Sequence, residues 1–179
     1  VKRIKNMNPC SICGVLRRNL LNKAARELKA AKLATGHNLD DESQSIMMNY
    51  IRGNLERSTR LGPITGIVKD KRFIPRIKPF YFLTEKETAT YAFLKQFPVK
   101  FMECPYSNDS FRGEVRDIIN NLEKSHPGTK HAVINSFLEL RPSLKGMYKN
   151  SNIKTCSCCE EPSSKDICNT CLIINKLKK

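Results

Sequence analysis

The sequence predicts an α/β chain: part of a doubly wound parallel sheet, followed by helices and a small separate C-terminal module. Three observations carry this. An amphipathic helical stretch is followed by a short apolar run ending at a glycine and then by a second helical stretch, the order of elements in one half of a parallel α/β sheet. Three more helical stretches follow from Thr84 to Leu140. After Tyr148 the composition turns to Cys, Ser, Asn and Lys, which divides the chain into 1–150 and 151–179.

Each element has a local cause. Over Ser11–Ala31, Val15, Leu16, Leu20, Ala24 and Leu28 recur at helical spacing with Arg and Lys on the other side. KLATG (32–36) is too short for a helix and stops at Gly36, so it reads as a buried strand and turn. Asp40 or Asp41 then caps a helix through Ile46, Met47, Tyr50 and Ile51 to about Leu55. Glycines and prolines mark loops from Thr59 to Pro79, and RFIPRIKPF, interrupted by Pro75 and Pro79, reads as an extended segment near a sheet edge. Thr84 and Glu87 form a capping box for a helix through Phe93 and Leu94. Val115, Ile118, Ile119 and Leu122 share a face of a helix over Gly113–Glu123, and another helix runs from His131 to Leu140, before Pro142.

Charge narrows the partner. The 179 residues hold 32 Lys and Arg against 17 Asp and Glu, a formal +15 spread along the chain, which suggests a face for a polyanion such as nucleic acid. No apolar run approaches the roughly 20 residues that span a bilayer, and VKRIKNMNPC lacks the apolar stretch of a signal peptide, so an intracellular, cytoplasmic protein is expected. In a reducing compartment eight cysteines, six of them in three Cys-x-x-Cys pairs, point to metal binding or sulfur chemistry.

Cys156-x-x-Cys159 and Cys168-x-x-Cys171 stand eight residues apart, the spacing at which two thiolate pairs close a tetrahedron around Zn²⁺. A structural zinc ribbon follows, with Cys158 left over. Cys10-x-x-Cys13 lies at a helix start, where free N–H groups and nearby Arg17 and Arg18 favour thiolates. Two cysteines do not fill a tetrahedral site, and Cys104 is the one further cysteine outside the ribbon. From spacing alone, a redox disulfide, a mononuclear zinc and an iron–sulfur cluster with one open iron all stand.

GHNLDD (36–41) follows the expected parallel strand, where open α/β sheets place their ligands; a carboxylate there can act on a metal–nucleotide or on a proton, or simply cap the helix. His126 and His131 flank a Pro-Gly turn and receive no role, and Met47 and Met48 read as core filling.

Taken in order, CSICGVLRR, ATGHNLDD, MMNYIRGN, IPRIKPF, EKE, ECPYS, RGEVRDIINNLE and CSCCEEPSS…ICNTC resemble the archaeal and eukaryotic-cytosolic group of PP-loop tRNA 2-thiouridine synthetases over nearly the whole chain. The resemblance implies a nucleotide-binding domain of that superfamily. It also implies ATP-dependent adenylation of a tRNA uridine at its C2 oxygen, followed by replacement of that oxygen with sulfur. It makes Cys10, Cys13 and Cys104 three ligands of a 4Fe-4S cluster, with a persulfide and disulfide pair as the fallback. Asp41 would be an essential acid beside nucleotide and substrate, Gly36 a backbone contact to ATP with its Mg²⁺, and Arg17 a basic residue, often Lys in relatives, that steadies phosphate or the activated uridine. Expected partners are tRNA, a sulfur donor (a ubiquitin-like thiocarboxylate protein or sulfide) and a second copy in a homodimer.

The superfamily binds pyrophosphate with an SGGxDS loop, and these residues contain no Gly-Gly pair. No cysteine is left for the N-terminal zinc finger of relatives either. The chain therefore reads as the C-terminal part of a longer protein. The rival is a non-catalytic RNA-binding fragment whose cysteines hold only structural metal.

Overall fold

The structure, a computed structural model, describes residues 8–65, 72–100, 102, 104, 106, 111–148 and 153–178. The opening residues read for a leader and the boundary at Ser151 lie outside them. The chain forms two compact units, one from Val1–Leu33, Gly66–Pro75 and Asn150–Lys179, the other from Ala34–Thr65 and Arg76–Lys149.

The first unit contains helix α1 (Pro9–Glu27), a hairpin of β4 (Lys154–Thr155) and β5 (Pro162–Ser163), and helix α7 (Asn169–Leu177). Asn8 caps α1, with its side chain accepting from the Cys10 N–H at 2.8 Å, and Pro9 takes the first helical position, where no N–H is needed. The face that packs differs from the one its periodicity suggests. Ile12, Asn22 and Ala25 are buried, whereas Leu20 and Leu28 are 65% and 81% exposed. Ile12 packs on Ile173 of α7, with Val15 and Leu16 beside them. Asn22 is held by the passing segment: its amide donates to Arg72 O at 3.0 Å and accepts from Ile74 N–H at 3.1 Å.

The second unit holds helices α2 (Leu39–Ile51), α3 (Leu55–Ser58), α4 (Glu85–Leu94), α5 (Phe111–Ser125) and α6 (Thr129–Met147). Leu39 and Ile46 of α2, Tyr81, and Ile134 and Phe137 of α6 form its buried core. Of the apolar face expected on α5, Val115 and Ile119 are buried, and Ile118 and Leu122 are 54% and 43% exposed. Arg52 stacks over the Phe111 ring at 4.0 Å and secures the start of α5.

Three short strands, β1 (Leu33–Ala34), β2 (Ile64–Thr65) and β3 (Arg76–Ile77), pair in the order β1-β3-β2. Leu33 N–H donates to Pro75 O and Thr35 N–H to Ile77 O, so β1 and β3 advance together as parallel strands, while β2 pairs antiparallel with β3. Two expectations change here. The RFIPRIKPF segment lies in the middle of this sheet, not near its edge, because Pro75 and Pro79 flank the two paired residues and leave their N–H groups available. β1 is a strand but not a buried one: Leu33 is half-buried and Ala34 exposed.

Two helix ends also differ. α2 is capped by Asn38, not by Asp40 or Asp41, and Asp41 is the third-position partner of that capping box. α6 runs through Pro142 to Met147. The proline forfeits its bond to the Leu138 carbonyl, yet Leu138 and Leu144 both pack on the core and carry the helix across it. The Thr84–Glu87 capping box of α4 forms as read. His126 and His131 are exposed at the turn between α5 and α6.

Candidate functional site

The ribbon comes together as its spacing demands. The sulfurs of Cys156, Cys159, Cys168 and Cys171 all lie within 4.8 Å of one another, and Cys159 Sγ stands 3.6 Å from Cys168 Sγ. Tetrahedral zinc with bonds of about 2.3 Å would set its sulfurs about 3.8 Å apart, so the residues fit the ion. The Cys168 N–H, donated to Cys156 Sγ at 3.2 Å, brings the Cys156 thiol down to about 6. Burial, and then the neighbouring sulfurs, push Cys171 up. Four thiols this close ionise together only if a cation offsets their charge. Cys158 is exposed and outside the quartet.

Cys10 and Cys13 lie one turn apart at the start of α1 and are both exposed, with exposed Arg17 four residues further on the same face. The opposite face carries Ile12, which is 1% exposed. The start of α1 thus presents two thiols outward, with the Arg17 guanidinium one turn beyond Cys13 on the same face. Cys104 is exposed and belongs to the second unit.

The third constellation is the head of α2. Asn38 accepts the Asp41 N–H at 3.0 Å, and Asp41 Oδ2 accepts the Asn38 N–H at 3.3 Å. The consecutive acids Asp40, Asp41 and Glu42 each meet a cation from a different part of the unit: Lys130 from α6, Arg112 from α5 and Lys78 from just after β3. Two of the pairs are buried and further satisfied by backbone. Asp40 Oδ2 accepts the Glu85 N–H at 2.7 Å, and Glu42 accepts the Gly62 N–H at 3.4 Å. Gly62 has φ +125°, and a Cβ there would come within 2.8 Å of Arg141 Cζ, so this approach needs glycine. The Arg112–Asp41 pair, at 3.3 Å, is open, with side chains 44% and 37% exposed. Arg112 also reaches Gln44 Oε1 at 3.4 Å and Ser45 Oγ at 3.0 Å.

Asn38, Asp41, Gln44, Arg112 and Arg116 help to line a cavity of about 200 Å³. That is below the roughly 300–1,000 Å³ of most small-molecule pockets and suits a base or a phosphate better than a whole nucleoside triphosphate. Gly36, at the end of β1, is exposed, and a Cβ there would meet nothing within 4 Å. Arg112, Lys78, Lys130 and Asn38 carried no signal as site residues in the sequence. The three cations stand 71, 36 and 90 residues from their acids, so only folding pairs them. The one clue was a triplet of acids in a strongly basic chain.

No protein-family model matches the chain. Over 97% of its length it is 38% identical to the tRNA 2-thiolation protein NcsA of Haloferax volcanii, of which it covers 57%. It is 36% identical to the tRNA-5-methyluridine(54) 2-sulfurtransferase of Pyrococcus horikoshii, over 91% of this chain and 52% of that protein. Among solved structures, the U34-tRNA thiolase NcsA from Methanococcus maripaludis with its 4Fe-4S cluster matches 97% of this chain and 55% of its own, with a TM-score of 0.80 and 39% identity. The chain spans about half the length of these proteins. Sequence and fold agree over the residues they share, and this chain is similar to about half the length of these tRNA 2-thiolation proteins.

Proposed function

We propose that this chain carries the sulfur-transfer part of a cytoplasmic tRNA uridine 2-sulfurtransferase. The observation that carries the reading is similarity along 97% of the chain to a thiolase structure that holds a 4Fe-4S cluster, in a chain with Cys10, Cys13 and Cys104 outside its zinc quartet. In this reading residues 1–150 are part of a doubly wound nucleotide-binding domain and 151–179 a zinc ribbon. The parallel pairing of β1 with β3 supports the first, and the convergence of four sulfurs supports the second.

The reaction has two displacements. The uridine O2 attacks the α-phosphorus of Mg²⁺-bound ATP and pyrophosphate leaves. Sulfur then attacks C2, and AMP departs with the former O2. Asp41, the half-exposed acid of its triplet, takes the N3 proton as O2 is phosphorylated. Gly36 lets the nucleotide approach the backbone, and Arg112, on the cavity beside Asp41, offsets phosphate charge, the part that the family resemblance gives to Arg17. As the family resemblance implies, Cys10, Cys13 and Cys104 would hold a 4Fe-4S cluster, which would supply an open iron for sulfur from a thiocarboxylate protein or sulfide. The basic surface holds tRNA, and the active assembly is a homodimer.

The test is anaerobic purification with assay of iron, acid-labile sulfide and zinc, followed by nucleoside analysis of tRNA. About four irons and four sulfides beside one zinc, and thiolation lost in Cys10→Ser, Cys13→Ser, Cys104→Ser and Asp41→Asn, are expected. Zinc alone after cluster reconstitution would sink the cluster-based reading and favour the structural RNA-binding fragment. Nucleoside analysis also separates position 34 from position 54, both of which occur in the names of the relatives.

A further inference from the structure

We infer that the ribbon does more than hold itself together: through Ile173 it positions the Cys10-x-x-Cys13 turn, which makes Ile173 a positioning residue for the sulfur-handling thiols. The inference rests on the functional reading above only in the use it gives those thiols. Its geometry lies within the first unit.

The coupling begins at the metal ligands. α7 has nine residues, too few to persist alone in water. Its N-cap is Cys168, whose sulfur accepts the Cys171 N–H at 3.4 Å, so two of the four zinc ligands are also the cap and first turn of the helix. Two residues beyond Cys171 comes Ile173, 2% exposed, seated against Ile12.

α1 is secured at widely separated points. Near its end, Arg26 pairs with Glu161 of the ribbon, and Asn22 is bonded to the 72–74 segment. Arg72 in turn donates to Thr155 Oγ1 at 3.2 Å and Glu160 O at 3.0 Å. At its start, Ile12 is the one buried residue before Asn22, and it sits between the two cysteines. Helix ends fray unless held; Asn8 caps this one, its first turn has no acidic residue to favour it, and Ile12 is the packing contact that fixes the turn. Zinc shapes the start of α7, α7 presents Ile173, Ile173 covers Ile12, and Ile12 holds Cys10 and Cys13 on the exposed face.

Hydrogen exchange of residues 10–16 in the full chain, read by mass spectrometry before any iron is added, tests this directly. The comparison is among wild type, Cys168→Ser, Ile173→Asp and Ile173→Val, with zinc measured in each. Cys168→Ser and Ile173→Asp should raise exchange in 10–16 roughly tenfold or more, and Ile173→Val should stay near wild type. After anaerobic reconstitution, the first two should hold less than half the wild-type iron and visible absorption, with Ile173→Val again restored. Zinc-free Cys168→Ser with unchanged exchange in 10–16 would overturn the inference, as would Ile173→Asp with normal exchange and full iron. A wild type that takes up no iron, while the exchange differences persist, would instead defeat the functional reading and leave the coupling standing.

Discussion

The ribbon and the head of α2 both gather polar side chains that repel one another, and they solve the problem by different physics. In the ribbon four sulfurs lie within 4.8 Å, with one buried apolar residue, Ile173, on the adjoining helix, and in the proposed zinc ribbon an ion supplies the cohesion. At the head of α2 three consecutive acids are each answered by a cation, against a core of Leu39, Ile46, Tyr81, Ile134 and Phe137. The difference teaches where function can sit. A closed metal quartet has no position to spare, whereas the α2 head buries two pairs as foundation and leaves the third open on a cavity.

The largest effect should come from the metal. Structural zinc contributes on the order of 10–16 kcal/mol in finger peptides, so chelation should abolish hydrogen-exchange protection across 153–178. The α2–α6 core, built without these ligands, should keep its protection, and equal loss in both regions would mean that the two do not stand on different physics.

Next come the buried pairs. Lys130→Met leaves Asp40 buried without its cation and should cost about 3–5 kcal/mol in urea unfolding, with much of the loss recovered when Asp40 is neutralised as well. Asn38→Ala removes the α2 cap and should cost about 1 kcal/mol in the same measurement. The open pair should behave oppositely. Arg112→Ala should change stability by less than about 1 kcal/mol, because both side chains are well exposed, while thiolation by the complete enzyme falls sharply. A Lys130-sized stability loss in Arg112→Ala would move this pair to the foundation.

The smallest effect concerns α4. The Thr84 backbone N–H, then its hydroxyl, hold the Glu87 carboxyl below the ordinary glutamate range. A lowered folded-state value means that stabilisation is present above the unfolded value and lost as pH falls through the folded one. Glu87→Gln should therefore flatten this acid-side dependence of α4 helicity, with a small loss at neutral pH, where the charged carboxylate stabilises, and none once Glu87 is protonated.

Some of this was legible because it is local. The Thr84–Glu87 box is three residues long, the ribbon's pairs lie on adjacent knuckles, and Cys10 and Cys13 occupy one helical turn. The α1 face was misjudged because Asn22, a polar residue, is buried by bonds to a segment 50 residues away, while Leu20 and Leu28 face water. Pro142 misled for a related reason: packing of Leu138 and Leu144 outweighs one lost helix bond. The role of the acid triplet could not be sorted, since Asp40, Asp41 and Glu42 are chemically alike and adjacent.

Near neighbours in the sequence fix the capping box of α4, the two C-terminal Cys-x-x-Cys pairs and the Cys10–Cys13 turn, and its composition fixes the basic charge. Only the tertiary structure decided which of three acids stays open, which cation answers each, and which residue of α7 covers the turn between Cys10 and Cys13. The reason is range. Capping and thiolate spacing are fixed within a few residues, whereas burial and ion pairing depend on segments 36 to 90 residues apart, whose meeting no local pattern encodes.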